Sequence, residues 1–157
     1  MSRLDPDTPG PVLLVEDNPD DQVLTVEALR AAGRADEIVV VADGVEALDY
    51  LFGTGRHAGR DVSRLPLLVL LDLKLPKVDG LTVLARIRAD DRTKHLPVVV
   101  LSSSDEEKDL EECWRLGADS YVRKSISFPD FCETVRRDWS AWVSRVRSSD
   151  SHPRFRG

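Results

Sequence analysis

The chain has 157 residues, 41% hydrophobic and 32% charged, with a formal net charge of −6 at pH 7. That length suits one domain with a full core, and the acid excess argues against nucleic-acid binding, which draws on lysine and arginine clustered on one face. No apolar run approaches the roughly 20 residues that span a bilayer, and the polar, proline-containing start is unlike a signal peptide; a cytoplasmic chain with a protein partner, and no membrane partner, is expected.

Pro11 to Val15 reads as the first strand and stops at Glu16-Asp17. Asn18 then supplies a helix cap and Pro19 a first helical residue, opening a helix to about Ala32 on which Val23, Val26 and Leu29 share one face. Gly33 ends it. Ile38 to Val41 is the second strand, Asp43-Gly44 a turn and cap, and Val45, Leu48, Leu51 and Phe52 mark a short second helix. The Gly- and Arg-rich stretch from Gly53 to Arg64 is longer than most connections and reads either as an insertion or as a mobile linker.

Leu67 to Leu71 is an uninterrupted aliphatic run, as expected of a strand covered on both faces, and it ends in Asp72. Pro76 to Gly80 makes a turn, and Leu81, Leu84 and Ile87 lie on a third helix. The fourth strand begins at Val98 and stops at Ser102, a fourth helix runs from about Asp105 to Leu116, and a short fifth strand, Ser120 to Val122, leads through Arg123 to Lys124. Ser127 and Pro129 open a last helix carrying Phe131, Val135, Trp142 and Val146. Residues 1–10 are expected to be flexible, 11–147 to form the domain, and 148–157 to be a disordered tail.

Strands joined through helices become parallel neighbours. The expectation is a doubly wound α/β domain: a five-stranded parallel sheet with helices on both faces. Ligands of such sheets bind beyond the carboxyl ends of the strands, where Glu16, Asp17, Asp72, Ser102 and Lys124 all fall. Crowded carboxylates need a proton or a hard cation, and Mg²⁺ suits because it takes few carboxylate oxygens and keeps waters and phosphate oxygens. A carboxylate is also a competent nucleophile for phosphoryl transfer. Asp72 is the candidate, with Glu16 and Asp17 on the metal, Lys124 neutralising phosphoryl oxygen and Ser102 donating a hydrogen bond to it.

Blander readings exist for each. Asp72 can be a turn residue before Pro76, Glu16 and Asp17 helix-start acids, Lys124 a surface lysine, and Ser102 a helix cap. Cys113 and Cys132 lack CxxC spacing and read as core residues; His57, His95 and His152 are scattered and read as surface residues. No GxxxxGK or GxGxxG motif supports nucleotide binding. Trp114, Trp139 and Trp142 fall in the last two helices, where packing is the default, yet tryptophan enrichment at interfaces makes this face the candidate homodimer surface.

Four pieces in order resemble the receiver domains of two-component response regulators: Leu14-Val15-Glu16-Asp17-Asn18, Leu71-Asp72-Leu73-Lys74-Leu75-Pro76 with Asp79-Gly80, Val100-Leu101-Ser102-Ser103, and Gly117 through Lys124. The resemblance covers residues 12 to about 146 and implies the flavodoxin-like strand order 2-1-3-4-5. It implies that Asp72 accepts phosphate from a sensor histidine kinase. Asp17, Asp72 and the backbone carbonyl of Lys74 would ligate Mg²⁺ or Mn²⁺, with Glu16 acting through water. Ser102 and Tyr121 would be a switch pair altering the face of the fourth helix, fifth strand and fifth helix, toward an unidentified downstream protein.

Such a chain is a signalling phosphoacceptor, with self-catalysed phosphotransfer and autodephosphorylation as its only chemistry. Glu16-Asp17-Asn18-Pro19 and the long connection after the second helix resemble, more narrowly, stand-alone regulators paired with bacterial phytochromes. A bacteriophytochrome kinase is thus the expected partner, and no output domain is expected. Ser125 stands where receivers usually place a cis proline, which keeps an unphosphorylated pseudo-receiver as the alternative. An aspartate-nucleophile phosphatase is the remoter one, since its general acid would be an aspartate at the position of Lys74.

Overall fold

The structure is a computed structural model describing residues 10–34, 37–103, 107–124 and 126–144. Strands β1 (Val12–Val15), β2 (Ile38–Val41), β3 (Leu68–Asp72), β4 (Val98–Ser102) and β5 (Ser120–Arg123) alternate with helices α1 (Pro19–Ala31), α2 (Gly44–Phe52), α3 (Gly80–Ala89), α4 (Glu107–Arg115) and α5 (Phe128–Val143). The strands form one parallel sheet in the order β2-β1-β3-β4-β5. This is the expected doubly wound topology. Ser125, Val146, His152 and the two ends read as flexible lie outside the described residues, apart from Gly10.

Every residue of β1, β3 and β4 is buried. Successive side chains point to opposite faces, so each run feeds two cores. Leu13, Val15, Val69, Leu71, Val98 and Val100 pack with α2, α3 and Cys113 of α4, while Val12, Leu14, Leu68, Leu70, Val99 and Leu101 pack with Leu29 of α1 and with Val135 and Trp142 of α5. Both cysteines are buried, as expected, and burial pushes the Cys113 thiol up to about 12. Leu71→Ala is expected to cost about 3 kcal/mol, read as a lower urea midpoint with an unchanged slope.

The caps follow the sequence signals. Asn18 Oδ1 accepts from the N–H groups of Asp20 and Asp21, Asp43 caps α2 through Glu46, and Asp79 and Ser127 cap α3 and α5. The docking face of α1 differs from expectation. Thr25, Ala28 and Leu29 are its buried residues, whereas Val23 is 57% exposed and Leu24 is exposed beside it.

The connection after α2 is neither structureless nor loose. Gly55–His57 forms a 3-10 turn, and the Arg60 guanidinium lies 4.0 Å from the Tyr50 ring centroid while its Nε donates to the Tyr50 carbonyl at 2.6 Å. His57, read as a surface residue, is half-buried: it meets Tyr50 edge-on and its Nε2 is 3.2 Å from Glu46. The stretch is pinned to α2.

Candidate functional site

Parallel pairing brings the carboxyl ends of all five strands to one edge. Asp72 is the last residue of β3, with its backbone still in register with Leu101 of β4, so a rigid strand and not a loop carries it. Glu16 follows β1, Ser102 ends β4, and Lys124 sits one residue beyond β5. Glu16, Asp72 and Ser102 are buried, while Asp17 is exposed.

One oxygen each from Glu16, Asp17 and Asp72 lies within 4.8 Å of the others. The Lys124 ammonium faces this group, with Nζ 2.7 Å from Glu16 Oε1, 3.1 Å from Asp72 Oδ2 and 3.0 Å from Asp21 Oδ2. The backbone N–H of Lys74 donates to Asp72 Oδ1 at 3.1 Å, and that of Asn18 donates to Glu16 Oε2 at 3.1 Å. Glu16 Oε1 is fully buried and meets the Lys124 ammonium at 2.7 Å, the shortest of the lysine's three contacts.

Burial pushes the Glu16 carboxyl up to about 7 against the pull of Lys124, and the Asp72 charge adds to the rise. Burial alone would lower the Lys124 ammonium, but its contacts with Glu16, Asp21 and Asp72 outweigh this and hold it above the ordinary lysine range. One cation thus serves three carboxylates, two of them buried, leaving an excess of negative charge. A buried carboxylate that shares its single ammonium with Asp21 and Asp72, and converges with Asp17 and Asp72, suits a hydrated hard cation: the oxygens can ligate it directly or accept from its waters. The donor set fits Mg²⁺ or Mn²⁺.

The response regulator receiver domain family matches residues 12–136. The chain belongs to that family. Among its curated relatives are the probable methanogenesis regulatory protein FilR2 of Methanothrix harundinacea, 40% identical over 92% of this chain and 91% of its own, and response regulator Rcp1 of Synechocystis, 36% identical over 88% and 92%. A solved Mn²⁺-bound form of Rcp1 superposes with a TM-score of 0.75 over 92% of this chain and 99% of that chain, at 34% identity. The structure of the bacteriophytochrome response regulator AtBRR is 48% identical and covers 82% of this chain and 91% of its own, with a TM-score of 0.70.

In this receiver the serine and tyrosine singled out in the sequence are in contact. Ser102, buried at the end of β4, hydrogen-bonds through its side chain to the phenol of Tyr121 on β5; burial raises that phenol against the lowering effect of the bond. The Tyr121 ring packs partly buried on the core beneath α4. Lys74 behaves differently: its side chain is 67% exposed, and its Nζ lies 3.8 Å from Asp109 of α4.

Gly80 matters because of where it sits. A Cβ there would fall on the carbonyl of Asp72 and the Cα of Leu73, while its own N–H bonds to Leu73 O at 3.0 Å. Gly80→Ala is therefore expected to shift the end of β3 and cost at least about 1 kcal/mol, with weakened divalent-metal binding. Thermal unfolding and a Mn²⁺ titration read both effects. Asp21 is the residue the sequence reading missed. It is one of three acids within five residues, and acids are ordinary in the first turn of a helix; nothing in the local pattern marks it as a partner of Lys124.

Proposed function

We propose that this receiver is a cytoplasmic response regulator that accepts a phosphoryl group on Asp72 from the phosphohistidine of a sensor histidine kinase, and that its only chemistry is this self-catalysed transfer and the later hydrolysis of the acyl phosphate. The carrying observation is the Asp72 carboxylate at a rigid strand end, 3.1 Å from the Lys124 ammonium and converging with Glu16 and Asp17. An oxygen of Asp72 attacks phosphorus, the P–N bond breaks, and its electron pair leaves with the imidazole, which takes up a proton. As Asp72 loses its charge, Lys124 turns to a phosphoryl oxygen and the Ser102 hydroxyl donates to another.

Asp17, Asp72 and the Lys74 backbone carbonyl would hold Mg²⁺ or Mn²⁺, with Glu16 reaching it through water. The ion would neutralise phosphoryl charge during transfer. The Mn²⁺-bound Rcp1 structure supports this donor set, and the likeness to AtBRR supports a bacteriophytochrome as the kinase. The Ser102–Tyr121 bond supports the switch: when Ser102 turns to the phosphoryl group, Tyr121 follows, and the α4-β5-α5 face changes shape for a downstream protein or a second copy of the chain. Light scattering with and without the phosphoryl group tests the homodimer, and a monomeric mass in both states would contradict it.

The direct test is incubation with acetyl phosphate. Label stable to acid and removed by hydroxylamine is expected with Mg²⁺ and none with a chelator; metal-independent labelling would reject the proposal.

Glu16 gives the site a pH dependence. Its acid is raised from 4.5 to about 7 in the folded state, so the folded chain binds the extra proton, and this stabilisation is full below about pH 4.5 and lost as pH rises through 7. Metal-free protein is thus expected to lose on the order of 3 kcal/mol across that window from this group. Mg²⁺ should oppose the loss and bind progressively less well below pH 7. Denaturant titrations at several pH values, with and without Mg²⁺, check both signs.

A further inference from the structure

We infer that Asp21 is a positioning residue of the phosphotransfer site, holding the Lys124 ammonium between α1 and the acceptor carboxylate; the inference rests on Asp72 being the phosphoacceptor. Lys124 Nζ carries three N–H donors. Three carboxylates meet it: Glu16 Oε1 at 2.7 Å, Asp21 Oδ2 at 3.0 Å and Asp72 Oδ2 at 3.1 Å. Asp21 therefore supplies one of the three contacts that set where the ammonium points, and the one that comes from α1.

Asp21 is itself held in place. Its backbone N–H donates to Asn18 Oδ1 at 3.1 Å, the Asn18 N–H donates to Glu16 Oε2 at 3.1 Å, and Gln22 Nε2 donates to the Glu16 carbonyl at 2.7 Å. With the Lys124 contacts these bonds close a circuit through Asn18, Asp21, Lys124 and Glu16, fixing the first turn of α1 against the lysine. The pair also borders a partly apolar cavity lined by Leu24, Ile126, Phe128 and Phe131, which screens it less than open water would.

The chemistry gives this contact a purpose. Among the described residues the converging acids are Glu16, Asp17 and Asp72; Asp21 stands outside that group and is 36% exposed. A lysine carries a flexible four-carbon stem with much rotamer freedom to lose. When Asp72 becomes an acyl phosphate, its carboxylate charge is replaced by charge on the phosphoryl oxygens farther out, so the ammonium must follow them outward while buried Glu16 draws it inward. Asp21 is the remaining anchor at the rim, and it keeps one N–H available to the phosphoryl oxygens.

The test combines a metal-free, phosphoryl-free readout with a kinetic one. In Asp21→Ala the side-chain ¹⁵N ammonium signal of Lys124 is expected to shift and to exchange faster with water. Phosphoryl incorporation at saturating Mg²⁺ and acetyl phosphate is expected to slow about tenfold, with Asp21→Glu restoring part of both. In a Lys124→Ala background the Asp21→Ala change should slow incorporation no further. An ammonium signal indifferent to Asp21, or a slowing that persists undiminished without Lys124, would overturn the inference. Wild type that takes up no phosphoryl group while its Lys124 signal still depends on Asp21 would reject the proposed function and leave the positioning contact standing.

Discussion

Lys124→Ala is expected to lower metal-free stability by about 3–5 kcal/mol, the usual result of removing one member of a buried charge set. Without the ammonium, Glu16 and Asp72 are left buried beside each other, and Asp72 loses the donor on its Oδ2. Truncating an alkyl stem also removes packing, so the size of the loss alone does not reveal its cause. Mg²⁺ does. If charge dominates, the ion replaces the missing cation: its affinity for the variant is expected to rise at least about tenfold, and saturating Mg²⁺ should recover most of the lost stability. A ligand at a thousand times its dissociation constant stabilises by about 4 kcal/mol, enough for the purpose. Urea midpoints of wild type and variant, with and without Mg²⁺, make the comparison; a deficit unaffected by Mg²⁺ would mean that packing carries it.

Asp72→Asn is expected to abolish the acyl phosphate while leaving the fold intact. The amide is nearly isosteric, and its single oxygen can accept from the Lys74 N–H or from Lys124 but not from both, since these bond to different oxygens of Asp72; it has no carboxylate to attack phosphorus. One negative charge also leaves a crowded site. Lys124 retains Glu16 and Asp21, so metal-free stability near pH 7 should hold or rise. Since the Asp72 charge is one of the causes raising Glu16, that carboxyl should titrate lower in the variant, and the loss of stability between about pH 4.5 and 7 should shrink. Divalent affinity is expected to fall about a hundredfold with the loss of one of the three converging carboxylates. Unchanged labelling of Asp72→Asn would remove the acceptor role from this residue.

The strands were legible because the aliphatic runs of β1, β3 and β4 are fully buried and separated by strong cap signals at Asn18-Pro19, Asp43-Gly44 and Ser127, whereas their order came only with the resemblance to receiver domains. The acids at their carboxyl ends were legible for the same reason, since parallel strands in sequence must point one way. What the sequence hid depends on packing between distant segments. Val23 and Val26 share the spacing of a core face, yet the docking of α1 on the sheet buries polar Thr25 and turns Val23 outward. Arg60 meets the carbonyl of Tyr50 ten residues away through a folded-back loop, a contact no local period announces. Asp20 and Asp21 differ by 100° of helix phase, and only that phase decides which of them meets a lysine 103 residues later.

The acceptor can be identified by chemistry specific to acyl phosphates. Borohydride reduces an aspartyl phosphate to homoserine, which peptide mass spectrometry locates by residue. Protein labelled by acetyl phosphate and Mg²⁺, then reduced, is expected to carry homoserine at position 72 and at no other aspartate. Homoserine at Asp17 or Asp21, or label that survives as a phosphohistidine or phosphoserine, would contradict a site built around Asp72.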